Sequence, residues 1–171
     1  MRKIIAIDGH DGSGKTSICK RICELLNYQY IKPFSNSLGD LIAWMITSKN
    51  YELANQIAMS AIDKALVENP EANIVFDRHW ISMFTVIPER LQKEWRDTPF
   101  SILCWAEPQI TINRLQERKD AGINKWDNEY FCKKYMDISD QFQIPVINTS
   151  YATVDESVER ALKIIQDDWR V

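Results

Sequence analysis

Eight consecutive residues near the start of the sequence combine the groups that bind phosphate. Residues 9–16 read Gly-His-Asp-Gly-Ser-Gly-Lys-Thr and match the pattern G-x-x-x-x-G-K-[ST]. The glycines let backbone N–H groups turn toward phosphate oxygens, and a following helix adds the favourable dipole of its N-terminus. In this pattern the lysine reaches the β- and γ-phosphates, and the threonine hydroxyl helps to hold Mg²⁺. The pattern therefore predicts a site for a nucleoside triphosphate and Mg²⁺. Its predicted residues are Gly9, Asp11, Gly12, Ser13, Gly14, Lys15, Thr16 and Ser17.

The residues on either side of this loop have the order that the pattern requires. Residues 3–8 form an apolar run suited to a buried strand, and residues 17–26 have the apolar spacing of a helix. Strand, glycine-rich loop and helix follow one another directly. This order disfavours the alternative of a chance match in a strand–turn–helix.

A second group of chemical interest is the pair Asp77-Arg78, which follows the apolar segment 73–76. A carboxylate at the end of a strand can orient Mg²⁺ through water or hold a neighbouring arginine, and Asp8 at the end of the first predicted strand can do the same. Either aspartate can instead cap a turn. The planar fork of Arg78 suits bidentate phosphate binding, and the alternative role is a structural ion pair with Asp77.

Bulk properties limit the classes of protein that remain. A chain of 171 residues is long enough for one well-cored domain, so we expect a single domain over residues 1–171. The net charge of -3 gives no overall attraction to nucleic acid or to acidic membranes, which lowers the expectation of a polymer substrate. No apolar run is long enough to span a membrane, and no signal peptide precedes the first strand. We therefore expect a cytoplasmic protein without a membrane partner.

The cysteines fit the same compartment. The four cysteines show no close spacing of the kind that binds metal, and Cys19 and Cys23 lie one helical turn apart on a predicted helix. We expect all four to be reduced and mostly buried thiols. A disulfide or a metal pair is the alternative.

Strand and helix patterns alternate along the chain. The predicted strands are residues 3–8, 28–31, 73–76, 100–105 and 144–148, and the predicted helices are residues 17–26, 38–46, 53–67, 109–119, 128–141 and 154–167. This alternation predicts an α/β protein with a five-stranded parallel sheet covered on both faces. Ligands of such sheets lie beyond the carboxyl ends of the strands, where the loops discussed above begin.

Four segments in this order resemble the thymidylate kinase family of P-loop nucleoside monophosphate kinases. They are the phosphate loop, the run Asp-Arg-His-Trp-Ile-Ser at residues 77–82, the run Arg-Leu-Gln-Glu-Arg at 114–118 with Trp126-Asp127 beyond it, and Asn-Thr-Ser at 148–150. The resemblance implies a three-layer P-loop kinase fold with strand order 2-3-1-4-5 and a small lid at about residues 114–127. It also implies ATP-dependent phosphoryl transfer, and homodimers are common in the family.

The resemblance also implies roles for individual residues. Asp11 would contact the sugar of the acceptor, and Ser150 would lie near the adenine of ATP. Lys32 stands where the family commonly has an arginine for the acceptor phosphate, and Gln56 lies near the position of a base-reading arginine. The predicted acceptor site comprises Asp11, Lys32, Phe34, Gln56, Arg78 and Ser82. The predicted metal ligands are Thr16, Asp77 and Asp8.

Positive charge for the transferring phosphate must come from the lid, because the phosphate loop has no basic residue before Lys15. Arg114 and Arg118 lie one helical turn apart and can converge on phosphate when a lid closes. The alternative is a solvated charged face, which we favour for Lys119 and Lys125. The predicted catalytic set is Lys15, Arg78, Arg114, Arg118 and Asp77.

These inferences lead to one expected function and two alternatives. We expect an ATP-dependent kinase that transfers the γ-phosphate to a pyrimidine deoxynucleoside monophosphate, with ATP and Mg²⁺ as cofactors and a small nucleotide as partner. The first alternative is a kinase that phosphorylates a hydroxyl of a nucleoside or of a hydroxymethylated base in DNA, since such an acceptor needs no phosphate-binding arginine. The second alternative is a non-catalytic nucleotide-binding protein.

Overall fold

The computed structural model of the protein describes residues 2–118 and 125–168, with only the backbone described for Lys125 and Trp126. Strands and helices alternate along these residues. The elements in chain order are β1 (Ile4–Asp8), α1 (Lys15–Leu26), β2 (Gln29–Ile31), α2 (Asn36–Thr47), α3 (Tyr51–Glu68), β3 (Ile74–Asp77), α4 (Trp80–Phe84), α5 (Glu89–Gln92), β4 (Phe100–Trp105), α6 (Pro108–Glu117), α7 (Lys125–Phe142), β5 (Val146–Asn148) and α8 (Val154–Asp168).

The five strands form one parallel sheet in the order β2-β3-β1-β4-β5. Strand β1 lies in the middle, where Ile4 pairs with Ile74 of β3 and Ile5 pairs with Phe100 of β4. The predicted fold class and strand order are confirmed. The loops after β1 and β3 consequently leave the same edge of the sheet side by side, which brings the two predicted phosphate-binding segments together.

Helices cover both faces of the sheet because successive side chains of β1 point to opposite sides. Ile5 and Ile7 are fully buried in a core cluster with residues of α1 and α8, whereas Ala6 lies in a cluster with Ile62 of α3. Burial of an isoleucine side chain contributes about 1.5–3 kcal/mol. The strand that carries the phosphate loop is therefore held firmly from both sides.

Two short helices, α4 and α5, were not predicted from the sequence. All five residues of α4 are buried, so the segment lacks the alternation of apolar and polar residues that reveals a longer surface helix. The four cysteines are free and buried, as predicted. None of the helices described has both the length and the apolar character that a membrane span requires.

Candidate active site

The phosphate loop connects β1 to α1 through positions that favour glycine. Gly12 and Gly14 have φ angles of 78° and 85°, in the left-handed region where a side chain adds strain. A Cβ atom on Gly9 would overlap the carbonyl oxygen of Cys104, and one on Gly12 would lie 2.8 Å from the carbonyl oxygen of Thr111. The loop can approach β4 and α6 this closely only because these positions carry no side chain.

Lys15 extends along the inside of this loop and is buried. Its ammonium group donates a hydrogen bond to the carbonyl oxygen of His10 at 3.3 Å and lies 3.8 Å from the carboxylate of Asp11. Burial, with a contribution from the nearby Arg78, lowers the pKa of Lys15 to about 8. An ammonium group that has lost most of its water gains strongly from an anionic ligand such as a triphosphate.

Asp77, at the end of β3, receives two hydrogen bonds on one of its oxygens. The hydroxyl of Thr16 donates to Oδ2 at 2.6 Å, and the hydroxyl of Tyr30 donates to the same oxygen at 2.8 Å. The other oxygen, Oδ1, is buried and has no hydrogen-bond partner among the described residues. Mg²⁺ in nucleotide sites takes one or two protein oxygens together with phosphate oxygens and water, so Thr16 and Asp77 fit this ion.

Asp8, at the end of β1, receives three hydrogen bonds on one of its oxygens. Its Oδ1 accepts hydrogen bonds from the backbone N–H groups of His79 and Ser82, both at 3.0 Å, and from the Ser82 hydroxyl at 2.6 Å. Burial raises the pKa of this carboxyl group. Asp8 thus caps the beginning of α4, which was the alternative role predicted for it. Its other oxygen, Oδ2, is buried and has no hydrogen-bond partner among the described residues, so Asp8 as a metal ligand stays a prediction.

Arg78 lies at the centre of the site in a conformation that is uncommon for a residue with a side chain, with a φ angle of 79°. One of its terminal nitrogens, Nη1, donates to the Tyr135 hydroxyl at 3.0 Å and to the Gly9 carbonyl oxygen and the Ser82 hydroxyl at 3.3 Å. The other, Nη2, contacts the Asp11 carboxylate at 2.5 Å. The described ion pair of Arg78 is therefore with Asp11 rather than with Asp77.

Asp11 stands between two cations. Its carboxylate contacts both Arg78 and Lys15, although most of its side-chain surface is exposed. The Arg78 guanidinium holds the pKa of Asp11 below its ordinary value. Asp11 is consequently ionised at neutral pH and a weak base.

A cavity of about 920 Å³ extends from the phosphate loop to the space between α2, α4 and α7. Near the loop it is lined by Lys15, Thr16 and Arg78, with Lys32 at the exposed rim. Its far end is apolar and carries two hydroxyl groups. The residues that line this end are Phe34, Ile42, Ile46, Thr47, Met83, Thr85, Val86 and Phe131.

Five of the six predicted acceptor residues line this cavity, and Gln56 does not. The five are Asp11, Lys32, Phe34, Arg78 and Ser82. Gln56 is exposed on α3, whose buried face carries Ala54, Asn55 and Ala58. The count of residues from Asp77 placed Gln56 on α3, but no residue of α3, which is described throughout, lines the cavity. The prediction that Gln56 reads the acceptor base is therefore not supported.

The two predicted lid arginines occupy different environments. Arg114 donates hydrogen bonds to the carbonyl oxygens of Gly12 at 3.2 Å, Thr149 at 2.6 Å and Ser150 at 3.3 Å. Arg118, the residue that ends α6, is exposed and lines the cavity. Backbone carbonyl oxygens therefore hold the Arg114 side chain in place. The described hydrogen bonds include no such contact for the Arg118 side chain.

Part of the predicted lid lies outside the described residues. This applies to Lys119 and the rest of the turn up to residue 124, and to the side chains of Lys125 and Trp126. The remainder of the predicted ATP site is in place: Ser150 is buried and its hydroxyl accepts a hydrogen bond from the backbone N–H of Glu107. Through Arg114 it is joined to the phosphate loop.

Three residues near the site were not predicted to act there. Tyr135 of α7 contacts Arg78, Tyr30 contacts Asp77, and His10 links the loop to the segment after β4. Tyr135 follows Phe131 by one helical turn, and both line the cavity. This spacing was visible in the sequence, but only the packing of α7 on the cavity distinguishes it from ordinary core packing.

His10 is a buried, neutral ring within the phosphate loop. Its Nε2 accepts a hydrogen bond from the backbone N–H of Ala106 at 3.3 Å, so the proton lies on Nδ1, which is 3.1 Å from the carbonyl oxygen of Asp11. Burial lowers the pKa of His10 to about 4. The ring therefore ties the loop to the end of β4 without carrying charge.

Comparisons with known proteins agree with this geometry. No family model matches the chain. A probable thymidylate kinase of Methanococcus aeolicus is 28% identical, over 98% of this chain and 97% of the relative. Deoxyadenosine kinase from M. mycoides with bound dATP has a TM-score of 0.69 at 17% identity, covering 96% of this chain and 100% of that chain. Thymidylate kinase from Candida albicans has a TM-score of 0.68 at 15% identity, covering 98% of this chain and 92% of that chain.

These likenesses bear on two predictions. The predicted resemblance to thymidylate kinases is confirmed over nearly the whole chain. The solved structures share the fold, and all three proteins are named as kinases, which bears out the prediction of a phosphotransferase.

Proposed function

We propose that this protein is an ATP-dependent kinase that transfers the γ-phosphate to a pyrimidine deoxynucleoside monophosphate. The observation that carries the proposal is the continuous cavity from the phosphate loop past Arg78 and Lys32 to an apolar end. Such a cavity can hold a triphosphate, an acceptor phosphate and an acceptor base in line. The similarity to a probable thymidylate kinase supports the pyrimidine deoxynucleotide as acceptor.

The carboxylates of the cavity favour a phosphate over a hydroxyl as the attacking group. A hydroxyl acceptor gives up a proton and benefits from a general base, whereas an oxygen of a monophosphate is already anionic. Among the described lining residues the only carboxylates are Asp11 and Asp127. Asp11 is a weak base because Arg78 lowers its pKa, and Asp127 is exposed at the beginning of α7.

The chain's own residues supply alignment and positive charge, which are the main needs of phosphoryl transfer. We assign Lys15 to the β- and γ-phosphates, and Arg78 to the acceptor phosphate or the transferring group. Arg118 would neutralise charge that develops in the transition state. Mg²⁺, held by Thr16 and Asp77, would supply further positive charge at the β- and γ-phosphates.

The apolar end of the cavity is suited to a base. Ile42, Met83 and Val86 offer flat apolar surface, and Phe34 and Phe131 offer aromatic rings. The hydroxyls of Thr47 and Thr85 are the polar side-chain groups at this end. We therefore propose recognition of the base by shape and by hydroxyl groups, without a charged side chain.

The proposal is tested by transfer of labelled γ-phosphate from ATP·Mg²⁺ to a panel of acceptors. The panel contains dTMP, dUMP, dCMP, thymidine and DNA with hydroxymethylated bases, and Lys15→Ala serves as the control for contaminating kinases. We expect label on a free pyrimidine monophosphate. Label on thymidine or DNA alone would show that a hydroxyl is the acceptor. Binding of ATP without acceptor-stimulated release of ADP would show a non-catalytic nucleotide-binding protein.

A further inference from the structure

Tyr30 has no part in any motif of the sequence and does not line the cavity described above, yet its hydroxyl contacts Asp77. We propose that Tyr30 is a positioning residue that fixes the Asp77 carboxylate for Mg²⁺ binding. This inference rests on the proposed function, because it concerns the metal of the same nucleotide site. It adds a determinant of metal affinity that lies on the edge strand of the sheet.

The contact follows from the pairing of β2 with β3. Tyr30 is in register with Val75, two residues before Asp77, and its side chain extends along the sheet toward the carboxyl end of β3. Its hydroxyl donates to Oδ2 of Asp77 at 2.8 Å, and the Thr16 hydroxyl donates to the same oxygen at 2.6 Å. Two donors on one oxygen fix the plane of the carboxylate, while Oδ1 keeps its lone pairs.

The ring of Tyr30 is itself held in place. It is half-buried against the core cluster that contains Ile5, Ile18 and Val75, and the ammonium group of Lys20 lies 5.8 Å from the ring centroid. A hydroxyl on a packed ring loses little conformational entropy when it donates a hydrogen bond. Hydrogen bonds that a hydroxyl donates to a carboxylate oxygen are among the stronger ones in proteins.

The hydrogen bond between Thr16 and Asp77 also determines which side of the Thr16 hydroxyl can face a metal ion. Its hydroxyl proton is donated to Asp77, so the lone pairs of Oγ1 remain available to a metal ion. If the Tyr30 hydroxyl is removed, a single donor holds Asp77, and its carboxylate can rotate away from the orientation that Thr16 requires. Loss of an outer-shell hydrogen bond of this kind typically lowers metal affinity about tenfold or more.

A structural role predicts a different result. If the hydroxyl only joins the edge strand to β3, its removal lowers the free energy of unfolding and leaves the metal dependence of nucleotide binding unchanged. The distinction can be measured with Tyr30→Phe, which keeps the packed ring. Tyr51→Phe, at a half-buried tyrosine on α3, is the matched control.

The experiment is calorimetric titration of the full chain with ATP, once with Mg²⁺ and once with EDTA, and determination of the Mg²⁺ concentration that gives half-maximal ATP affinity. For Tyr30→Phe we expect about a tenfold rise in this concentration and an unchanged affinity for ATP in EDTA. Tyr51→Phe should match the wild type in both. A second variant, Tyr30→Leu, removes the donor with different packing and should show the same metal effect.

Three outcomes would overturn the inference. The first is an unchanged Mg²⁺ requirement in a folded Tyr30→Phe protein, and the second is an equal loss of ATP affinity with and without metal. Both would leave the proposed function standing, because the wild type would still bind ATP·Mg²⁺. The third is a wild-type protein that binds no ATP·Mg²⁺, which would overturn the proposed function and the inference with it.

Discussion

At the scale of single residues, the cations of the site differ in how completely their other contacts hold them. Lys15 and Arg78 are each bound to backbone carbonyl oxygens and to Asp11, so their positions are defined by the folded loop. Arg114 is bound to three carbonyl oxygens, whereas Arg118 is exposed at the end of its helix. These differences predict different consequences of mutation.

Lys15→Ala should abolish phosphoryl transfer and leave the fold intact. The ammonium group is the buried cation of the phosphate loop, so its loss removes the positive charge that we assign to the β- and γ-phosphates. The fold should tolerate the change, because burial disfavours this charge and lowers the pKa of Lys15. Measurement of transfer and of thermal unfolding checks both parts. Transfer that survives this change would disprove the assignment of the nucleotide site.

Arg118→Ala should lower kcat far more than it raises KM, because we assign the contact of this side chain to the transition state. An arginine of this kind contributes about a thousandfold or more to the rate. Steady-state kinetics with a saturating acceptor measure the effect, and Lys133→Ala, at an exposed position on α7, is the control. An unchanged kcat would place Arg118 on a solvated face.

Arg114→Ala should affect KM more than kcat, in contrast to Arg118→Ala. This side chain joins the Gly12 carbonyl oxygen to those of Thr149 and Ser150, so its loss loosens the loops on either side of the predicted adenine position. We expect a higher KM for ATP and a lower free energy of unfolding, with a smaller effect on kcat than in Arg118→Ala. A dominant loss of kcat would instead restore the catalytic role predicted from the sequence.

At the scale of elements, the loop between β1 and α1 depends on close approach as well as on backbone conformation. Gly9 and Gly14 both have positive φ angles, but their surroundings differ. A Cβ atom on Gly9 would overlap the Cys104 carbonyl oxygen, whereas the nearest atom to a Cβ on Gly14 is 4.0 Å away. The two positions therefore separate steric exclusion from conformational strain.

Gly14→Ala should cost about 1–2 kcal/mol of stability, the price of a left-handed residue with a side chain. Gly9→Ala should cost more and should also weaken ATP binding, because the loop must move away from β4 to admit the new methyl group. Denaturant unfolding and ATP titration of both variants give the comparison. Equal effects at the two positions would show that conformational strain alone decides both.

Most strands and helices could be predicted from the sequence. The apolar runs and helical spacings located all five strands and the longer helices, and the resemblance to a kinase family supplied the strand order. Helix α4 was not located, because a fully buried helix has no polar face to reveal it. Gln56 was placed on α3 by a residue count, but a count cannot show that this helix contributes no residue to the cavity lining.

The features that could not be predicted depend on contacts between residues that are far apart in the sequence. Asp8 was one of two similar strand-end aspartates, and only the packing of residues 79–82 beside β1 assigns it to a helix cap and Asp77 to Thr16. Tyr30 reaches Asp77 across a strand pairing that involves no sequence motif. Such partners become visible only when the sheet register is known.

At the scale of the whole molecule, buried neutral histidines couple stability to pH. The pKa of His10 is lowered from 6.5 to about 4 by burial, and the pKa of His79 is lowered to about 3 for the same reason. Below pH 6.5 the unfolded chain takes up protons that the folded protein does not. The free energy of unfolding contributed by these residues therefore falls as the pH is lowered from 6.5 toward 4.

His10→Asn provides the test, because asparagine keeps one donor and one acceptor but does not titrate. Between pH 7 and pH 5 the wild type should lose about 1–2 kcal/mol more of its free energy of unfolding than the variant does. Urea unfolding of both proteins at the two pH values measures the difference. Parallel pH dependence would show that folding leaves the pKa of His10 unchanged.

The central position of β1 has a consequence for synthesis on the ribosome. Ile4 pairs with Ile74, and Ile5 pairs with Phe100, so the strand that carries the phosphate loop is translated long before either neighbour exists. At roughly 5–20 residues per second, this apolar strand waits several seconds for its first partner and longer for its second. During that interval its uncovered edges can be bound by a chaperone or by another nascent chain. The central strand of the finished sheet is thus the strand that waits longest for its partners while the molecule is being made.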